Sequence, residues 1–123
     1  DDVSSEIEKK IADKFGPTFI THYPASLKPF YMKKEAGEAY CFDLIFPHVG
    51  ELVGGSERED DYETLKKAMI DSGLDMEKMS WYLETRKYGS VPHSGFGIGL
   101  ERLVMFVTQA DKVHDVIPFP FSF

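Results

Sequence analysis

Three glycines alternate with apolar residues in the segment Gly95-Phe96-Gly97-Ile98-Gly99, and this row limits the possible folds more than any other feature. Each glycine weakens a strand, because it adds backbone freedom and brings no side chain to pack. A sheet tolerates such a row where a large flat group lies directly on the backbone. The spacing is not the G-x-G-x-x-G dinucleotide fingerprint, since Leu100 and Arg102 stand in the wrong places. The row therefore predicts a strand that lies beneath a ligand.

An almost wholly apolar helix is predicted directly after this strand, from Glu101 to about Gln109. A helix that is apolar nearly all round is expected to be buried. Arg102 lies in its first turn, where the helix dipole disfavours a cation, so the guanidinium needs a partner. That partner is either a carboxylate such as Glu101, in a structural ion pair, or an anionic or planar ligand. The glycine row beside a planar arginine favours a stacked base and phosphates.

A second segment, Val49–Arg58, places a carboxylate, two glycines and an arginine along one predicted strand. Glu51 and Arg58 would face opposite sides of a straight strand, so a bulge at the two glycines would be needed to aim both into one cleft. The same parity problem separates Glu51 from Asp43 on the preceding strand, unless the turn shifts the register. Converging carboxylates would suit Mg²⁺ bound with a nucleotide. The alternative is an exposed edge strand with Glu51 and Arg58 in water.

Hydrophobic periodicity predicts an α+β fold with a mainly antiparallel sheet and no βαβ alternation. The first helix carries one apolar stripe, formed by Val3, Ile7, Ile11 and Phe15, and ends at Gly16-Pro17. The other predicted elements are strands at 18–23, 40–46, 51–56 and 95–100 and helices at 60–72 and 75–87. The strand at 40–46 is expected to be buried on both faces apart from Asp43, and the second of these helices and its surroundings are expected to contribute Trp81, Tyr82 and Tyr88 to the core.

The four histidines, His22, His48, His93 and His114, are scattered and lack the spacing of a zinc site. Only His93, which precedes the glycine row, is predicted to be functional, and the others are expected to form structural hydrogen bonds or face solvent. Cys41 lies in a predicted buried strand and is interpreted as an inert, small apolar residue. The acidic run at 57–61 is expected to be a solvated helix start.

Charge and cysteine content exclude several classes of protein. The 123 residues carry 14 Lys plus Arg against 21 Asp plus Glu, a formal net charge of −7, so a general affinity for nucleic acid or anionic membranes is not expected. A single cysteine excludes an internal disulfide framework and a multi-cysteine zinc cage. The longest aliphatic-aromatic run, Leu103–Val107, is far too short to span a bilayer. Any phosphate binding must therefore be local.

The two glycine-bearing segments carry a resemblance to a known family. Gly95–Arg102 is similar to motif 3 of the class II aminoacyl-tRNA synthetases, and Gly50–Arg58 most resembles their asparaginyl members. The Gly-Gly-Ser that precedes Arg58 by one residue favours the asparaginyl over the aspartyl enzymes, which usually have Ser-Gly-Ala there. The resemblance covers the chain from about Ile7 onward, and its other matching segments are 19–24, 28–32, 86–89, 91–95 and 115–120.

The resemblance implies a class II synthetase-like antiparallel sheet flanked by helices, with ATP and Mg²⁺ bound to it. Arg102 would stack on the adenine, Gly97 and Gly99 would line the floor of the ATP site, and Glu101 would belong to the same site. Glu51, helped by Asp43, would bind the Mg²⁺ that accompanies ATP.

Three further residues are implied for the amino-acid pocket. Arg58 would grip the substrate, and Ser56 and His93 would lie close to it. The implied reaction is activation of asparagine by ATP and its transfer to tRNA(Asn), by positioning and charge neutralisation rather than by a nucleophilic side chain.

The resemblance also implies which part of a synthetase this chain would form. Residues 1–123 would form the C-terminal part of a catalytic domain without motifs 1 and 2 or an anticodon-binding domain, so the chain alone is expected to be at most weakly active. The full-length protein is expected to be a cytoplasmic homodimer that does not enter membranes and binds tRNA mostly through parts outside this chain. His114 and Phe121 stand where the family usually has arginine. Together with the missing motifs, these departures leave two alternatives: the chain is a fragment of such a synthetase, or the protein is a degenerate paralogue.

Three alternatives stay open. Aspartate is not excluded as the substrate. A synthetase-like asparagine synthetase, which makes asparagine through an aspartyl-adenylate, shares this fold and lacks the anticodon-binding domain. A non-catalytic binding module is favoured by the absence of any match to motif 2.

Overall fold

The computed structural model describes residues 5–121, and Val3 of the predicted apolar stripe lies outside them. Within this range the chain forms four α-helices: α1 (Ser5–Phe15), α2 (Tyr62–Asp71), α3 (Ser80–Lys87) and α4 (Leu100–Thr108). It also forms five strands: β1 (Thr18–Pro24), β2 (Lys34–Glu35), β3 (Glu38–Phe46), β4 (Gly50–Glu57) and β5 (Ser94–Ile98). Two short 3₁₀ turns cover Ala25–Leu27 and Val113–Val116.

The strands form a sheet in the order β1-β3-β4-β5, and the short β2 pairs with β3. The β2–β3 pair is antiparallel, with Lys34 opposite Ala39. β3 and β4 are neighbours joined by the turn at residues 47–49, a connection too short for parallel strands. The predicted α+β fold with an antiparallel sheet is therefore confirmed. The alternative that β4 is an edge strand is wrong, because it has a neighbour on each side.

The chain divides by its contacts into two compact units. The first contains the chain up to Ile20, Phe42–Gly54 and the chain from Phe96 onward. The second contains Thr21–Cys41 and Gly55–Gly95. Among the described residues, no helix is long and apolar enough to cross a membrane.

The first unit buries fewer apolar side chains of its helices than the sequence predicts. In α1 the buried residue is Ala12, whereas Ile7 and Phe15 of the apolar stripe are exposed. In α4 the buried residue is Met105, and 72% of the surface of Val107 is exposed. The prediction of a buried α4 is therefore wrong, because among residues 5–121 only one side of this apolar helix packs against other parts of the chain.

The second unit has a clear hydrophobic core. Leu65 and Met69 of α2 are completely buried and pack with Leu83 of α3. Partly buried side chains surround them: Phe30, Tyr62, Leu74, Met76, Met79 and Tyr82. The N-terminus of α2 is capped by Asp61, whose carboxylate accepts a hydrogen bond from the Thr64 amide at 2.8 Å. Hydrogen bonding to Thr64 lowers the pKa of Asp61, because it stabilises the charged form.

Three predictions for the second unit are wrong. α3 begins at Ser80 rather than near residue 75, because the Asp75 carboxylate accepts the amides of residues 77 and 78 and holds them in a turn. Trp81 and Tyr88 are exposed rather than in the core, although Tyr82 does pack against it. The run at 57–61 is not solvated throughout, since Glu59 is only 7% exposed, although the exposed Asp61 does cap α2.

β3 alternates between buried and more accessible positions instead of being buried on both faces. Ala39, Cys41, Asp43 and Ile45 are buried, and Tyr40 is exposed. The buried Cys41 is confirmed. The alternation also means that Asp43 shares the buried face of β3 with apolar residues, so its carboxylate sits in a restricted space.

Candidate active site

Two carboxylates of the first unit converge on one glycine. A Cβ atom built on Gly54 would lie 2.7 Å from Oε1 of Glu51 and 3.4 Å from Oδ1 of Asp43. The first distance leaves no room for a side chain, so glycine at this position lets both carboxylates approach the backbone of β4. The sequence left open whether Asp43 and Glu51 share a face, and the structure brings them together. This happens where the burial alternation of β4 breaks, at Val53-Gly54.

The carboxylate pair is suited to a hard cation that also has other ligands. Among residues 5–121 there is no group of three or more His, Cys, Asp or Glu side chains arranged to hold a metal ion. Asp43 and Glu51 alone would not enclose a cation. Mg²⁺ typically binds one or two carboxylates and completes its coordination with water and phosphate oxygens. The donor set therefore fits Mg²⁺ that arrives with a phosphorylated ligand.

Arg102 is held beside this pair by the main chain. Its Nη1 donates a hydrogen bond to the carbonyl oxygen of Glu51. Its side chain also packs on Gly99, where an added Cβ would lie 3.5 Å from the Cβ of Arg102. The Gly99 amide in turn donates to the carbonyl of Leu52 at 3.0 Å. The contact with Glu51 is made to a neutral main-chain oxygen, so the guanidinium charge stays available to an anion.

A cavity of about 370 Å³ lies over the glycine row. Its lining includes the functional residues predicted for nucleotide binding: Glu51, Gly97, Gly99, Glu101 and Arg102. A Cβ on Gly97 would meet nothing within 4 Å, so the backbone there faces open space. The cavity thus combines a flat, accessible backbone, a planar cation and a carboxylate. These features suit a purine base and its phosphates.

Glu8 of α1 is a member of this region that sequence reasoning missed. Its carboxylate accepts a hydrogen bond from the backbone of Glu51. Partial burial, with the negative charges of Glu51 and Asp43, raises the pKa of Glu8, and the hydrogen bond and Arg102 oppose this shift. Nothing in the sequence linked α1 to β4, because their contact depends on the tertiary fold.

Arg58 is the centre of a second cluster, in the second unit. Its Nη1 donates to Oγ of the buried Ser56 at 2.8 Å, and its Cζ lies 4.9 Å from the centre of the Tyr31 ring. A Cβ on Gly95 would lie 3.0 Å from Nη2 of Arg58, so Gly95 gives the guanidinium room to lie on β5. An arginine has five N–H donors, and this arrangement orients the remaining ones. Ser56 thus acts on Arg58, and its direct contact with substrate stays a prediction.

The main chain around Arg58 is fixed by its neighbours. The Arg58 amide donates to the carbonyl of His93 at 2.9 Å, and the Glu59 amide donates to the carbonyl of Tyr31 at 2.9 Å. Arg58 also forms an antiparallel bridge with Met32. These bonds hold the arginine between the chain segments around residues 31 and 93.

The His93 ring is engaged by protein groups on both nitrogens. Nε2 lies 3.2 Å from Nη2 of Arg86, and Nδ1 lies 2.8 Å from the carbonyl oxygen of Val91. Arginine only donates and a carbonyl only accepts, so these two contacts suit the tautomer in which Nδ1 donates to Val91 and Nε2 accepts from Arg86. His93 therefore serves as a structural link in this arrangement, and a contact of its ring with substrate stays a prediction.

Arg86 is the second residue that sequence reasoning missed. It is only 7% exposed, although an arginine in the last turn of a short helix is normally expected to be a solvent-exposed cation. The matching segment 86–89 included it without assigning it a role. Of the other histidines, His48 donates a hydrogen bond from Nε2 to the carbonyl oxygen of Ala110 at 2.8 Å. That contact is the structural hydrogen bond that was predicted.

Residues 2–122 match the family model for class II tRNA synthetases of the D, K and N group. The chain belongs to this family. The predicted resemblance to the class II synthetases is therefore confirmed, and so is the synthetase-like fold. Arg102, which the resemblance predicts to be the motif 3 arginine, lines the cavity described above.

Individual relatives agree with the family match. The chain is 52% identical over 125 residues to an asparagine–tRNA ligase of Lactococcus lactis subsp. cremoris, which covers 98% of this chain and 28% of the relative. It is similar to the Entamoeba histolytica asparaginyl-tRNA synthetase in complex with asparaginyl-adenylate, with a TM-score of 0.93 and 39% identity over 100% of this chain and 29% of that one. An aspartyl-tRNA synthetase from the same organism gives a TM-score of 0.85 and 31% identity over 98% and 26% of the two chains. This synthetase chain thus spans less than a third of the length of the relatives it matches.

Proposed function

We propose that this chain belongs to the catalytic domain of an asparagine–tRNA ligase and takes part in the activation of asparagine by ATP. In this reaction the asparagine carboxylate attacks the α-phosphate of ATP and expels pyrophosphate. The terminal ribose hydroxyl of tRNA(Asn) then takes the asparaginyl group from the adenylate, and AMP leaves. The observation that carries the proposal is the cavity over Gly97 and Gly99, which is bordered by Glu51 and Arg102.

We assign ATP to the cluster in the first unit. The open backbone at Gly97 lets the adenine ring approach the sheet, and the guanidinium of Arg102 supplies a planar cation against it. Glu101 lines the same cavity. Asp43 and Glu51 would hold Mg²⁺, which neutralises phosphate charge when it is bound with ATP. The carboxylate pair would otherwise repel the triphosphate, so the assignment requires the cation.

We assign the amino acid to the cluster in the second unit. The guanidinium of Arg58 is fixed by Ser56, Tyr31 and the surface of Gly95, so its free N–H groups are aimed before substrate arrives. A fixed guanidinium binds a carboxylate or an amide oxygen more tightly than a mobile one, because less conformational freedom is lost on binding. Asparagine is favoured over aspartate, since the similarity to the asparaginyl enzyme exceeds that to the aspartyl enzyme.

The proposal extends to the whole protein. Residues 1–123 would form the C-terminal part of the catalytic domain, and the parts that dimerise the enzyme and read the anticodon would lie elsewhere in the intact protein. We expect the intact protein to be a cytoplasmic homodimer. Bound tRNA would meet this chain mainly at its acceptor end.

The test is asparagine-dependent exchange of pyrophosphate into ATP by the intact protein. We expect Arg102→Ala and Glu51→Ala to reduce exchange by about 10²-fold or more, because the first removes the cation proposed to lie against the adenine and the second removes a proposed ligand of the Mg²⁺ that neutralises the phosphates. Lys112→Ala, which removes an exposed cation of the same unit, is the matched control and is expected to keep wild-type exchange. Aspartate in place of asparagine should support little exchange.

Two results would contradict the proposal. Equal exchange by the Arg102→Ala variant and the control would separate this cavity from ATP binding. A folded wild-type protein that performs no exchange with either amino acid would point to a non-catalytic module instead.

A further inference from the structure

We propose that Arg86 is a positioning residue for the amino-acid site, which orients Arg58 without touching the substrate. The inference rests on the proposed function, because it takes Arg58 as the ligand of asparagine. The proposed reaction gives the buried Arg86 no direct part, and this inference assigns it one.

Arg86 is held more completely than a surface arginine. Its Nε donates to the main-chain carbonyl of Glu59 at 3.1 Å, and its Nη2 lies 3.2 Å from both Tyr82 Oη and His93 Nε2. Its Nη1 donates to the hydroxyl of Thr85. A buried guanidinium is costly unless its donors are satisfied, so this set of partners fixes a single orientation. Arg86 is therefore a rigid point within the second unit.

The first connection from Arg86 to Arg58 runs through the main chain. Glu59, whose carbonyl accepts from Arg86, is the residue that follows Arg58. His93, whose ring accepts from Arg86, supplies the carbonyl that accepts the Arg58 amide. Arg86 thus joins the two backbone segments that hold Arg58 and sets the distance between them.

The second connection runs through three aromatic rings that lie between the two guanidinium groups. The Cζ of Arg86 lies 4.7 Å from the centre of the Tyr82 ring, which packs edge-on against Phe30 with 6.0 Å between centroids. Phe30 packs against Tyr31 with 5.5 Å between centroids, and the Tyr31 ring carries the guanidinium of Arg58. Rings packed at these distances move together, because cores are close-packed. A shift of Arg86 would therefore move the surface on which Arg58 lies.

Lysine is an informative replacement for Arg86. It keeps the positive charge and most of the volume, but its single nitrogen cannot reach Glu59, Tyr82 and His93 at once. The Arg86→Lys variant should therefore fold while Arg58 becomes less well oriented. Tyr82→Phe is a milder variant, which keeps the ring in the stack and removes one acceptor of Arg86.

The experiment measures KM for asparagine and for ATP in pyrophosphate exchange by the intact protein. We expect Arg86→Lys to raise the KM for asparagine about tenfold and leave the KM for ATP within about twofold, since the effect passes through the amino-acid ligand alone. Tyr82→Phe should shift the asparagine KM in the same direction by about twofold to threefold. Lys87→Gln, an exposed cation on the same helix, is the matched control and should change neither constant.

A double variant separates positioning from general stabilisation. In an Arg58→Lys background, Arg86→Lys should raise the asparagine KM much less than in the wild type, because residues that act through one another are not additive. The inference is overturned if Arg86→Lys raises both KM values equally, if its effect is unchanged in the Arg58→Lys background, or if it loses folding while Tyr82→Phe leaves the asparagine KM unaltered. Absence of exchange in the wild type would instead refute the proposed function, and this inference would fall with it.

Discussion

The two arginine clusters differ in how firmly the chain holds them. Arg58 lies on Tyr31, bonds to Ser56 and is flanked by segments that the buried Arg86 joins. Arg102 is exposed and rests on one main-chain carbonyl and on the surface of Gly99. The Arg58 cluster is orientated in advance, whereas the Arg102 cluster keeps an accessible surface for its ligand. Such a difference suits a small amino acid that needs strict selection and a large nucleotide that brings its own contacts.

The two units that contain these clusters also differ in how much apolar surface they bury. The second unit packs Leu65 and Met69 with no exposed surface. The first unit leaves Leu100 and Val107 of α4 more than half exposed, so this helix contributes little apolar burial. We therefore expect substitutions in the second unit to affect folding and those in the outer face of the first unit to spare it.

The largest contrast is expected in core stability. Met69→Ala should lower the free energy of unfolding by about 2–5 kcal/mol, because it removes a fully buried side chain and leaves a cavity. Val107→Ala, on the exposed face of α4, should change it by about 0.5 kcal/mol or less. Urea unfolding followed by far-UV circular dichroism measures both. A similar loss in the two variants would show that α4 is packed against other residues in solution.

A smaller contrast is expected between two glycines of one strand. Gly95→Ala would place a methyl group 3.0 Å from the Arg58 guanidinium, so the KM for asparagine should rise about tenfold with the KM for ATP unchanged. Gly97→Ala meets nothing within 4 Å and should not destabilise the protein, but its methyl group would stand where we place the adenine. The KM for ATP should therefore rise several-fold. Exchange kinetics with each substrate varied in turn would distinguish the variants, and identical effects would contradict the separate assignments.

The sequence predicts the parts of the fold that local patterns encode. The presence of strand β3, of helix α2 and of the passage from β5 to α4 follows from periodicity and turn residues, although β3 is not buried on both faces as predicted. The glycine row was interpreted as space for a ligand, and the open backbone at Gly97 agrees with that. At Gly95 and Gly99 the space is used by the side chains of Arg58 and Arg102 instead. Spacing alone does not reveal which group occupies the room that a glycine leaves.

Other features depend on contacts between segments that are distant in the sequence, and local patterns predict these features wrongly or not at all. The apolar periodicity of α4 predicts burial, but periodicity does not say whether a packing partner lies within the chain. Arg86 is buried because the fold places the Glu59 carbonyl and the His93 ring against it. No local sequence pattern predicts these long-range contacts. The convergence of Asp43 with Glu51 depends in the same way on the pairing of β3 with β4.

The smallest effect concerns Glu8 beside the carboxylate pair. Burial and the charges of Glu51 and Asp43 raise its pKa above 4.5, so the folded protein binds this proton more tightly than the unfolded chain does. The contribution of Glu8 to stability is therefore greatest below pH 4.5 and declines as the pH rises through the raised value. Glu8→Gln removes that decline and retains an oxygen that can accept the Glu51 hydrogen bond.

We expect Glu8→Gln to be slightly more stable than the wild type at pH 7, by about 0.5 kcal/mol or less because water screens a partly exposed group, and to lose this advantage below pH 4.5. Urea midpoints measured from pH 4 to pH 7 would show the trend. Glu6→Gln, an exposed position on the same helix, should lack it. A variant that is less stable than the wild type at pH 7 would mean that Arg102 and the Glu51 amide outweigh the two carboxylates, and the first cluster would then be more firmly held than its exposure indicates.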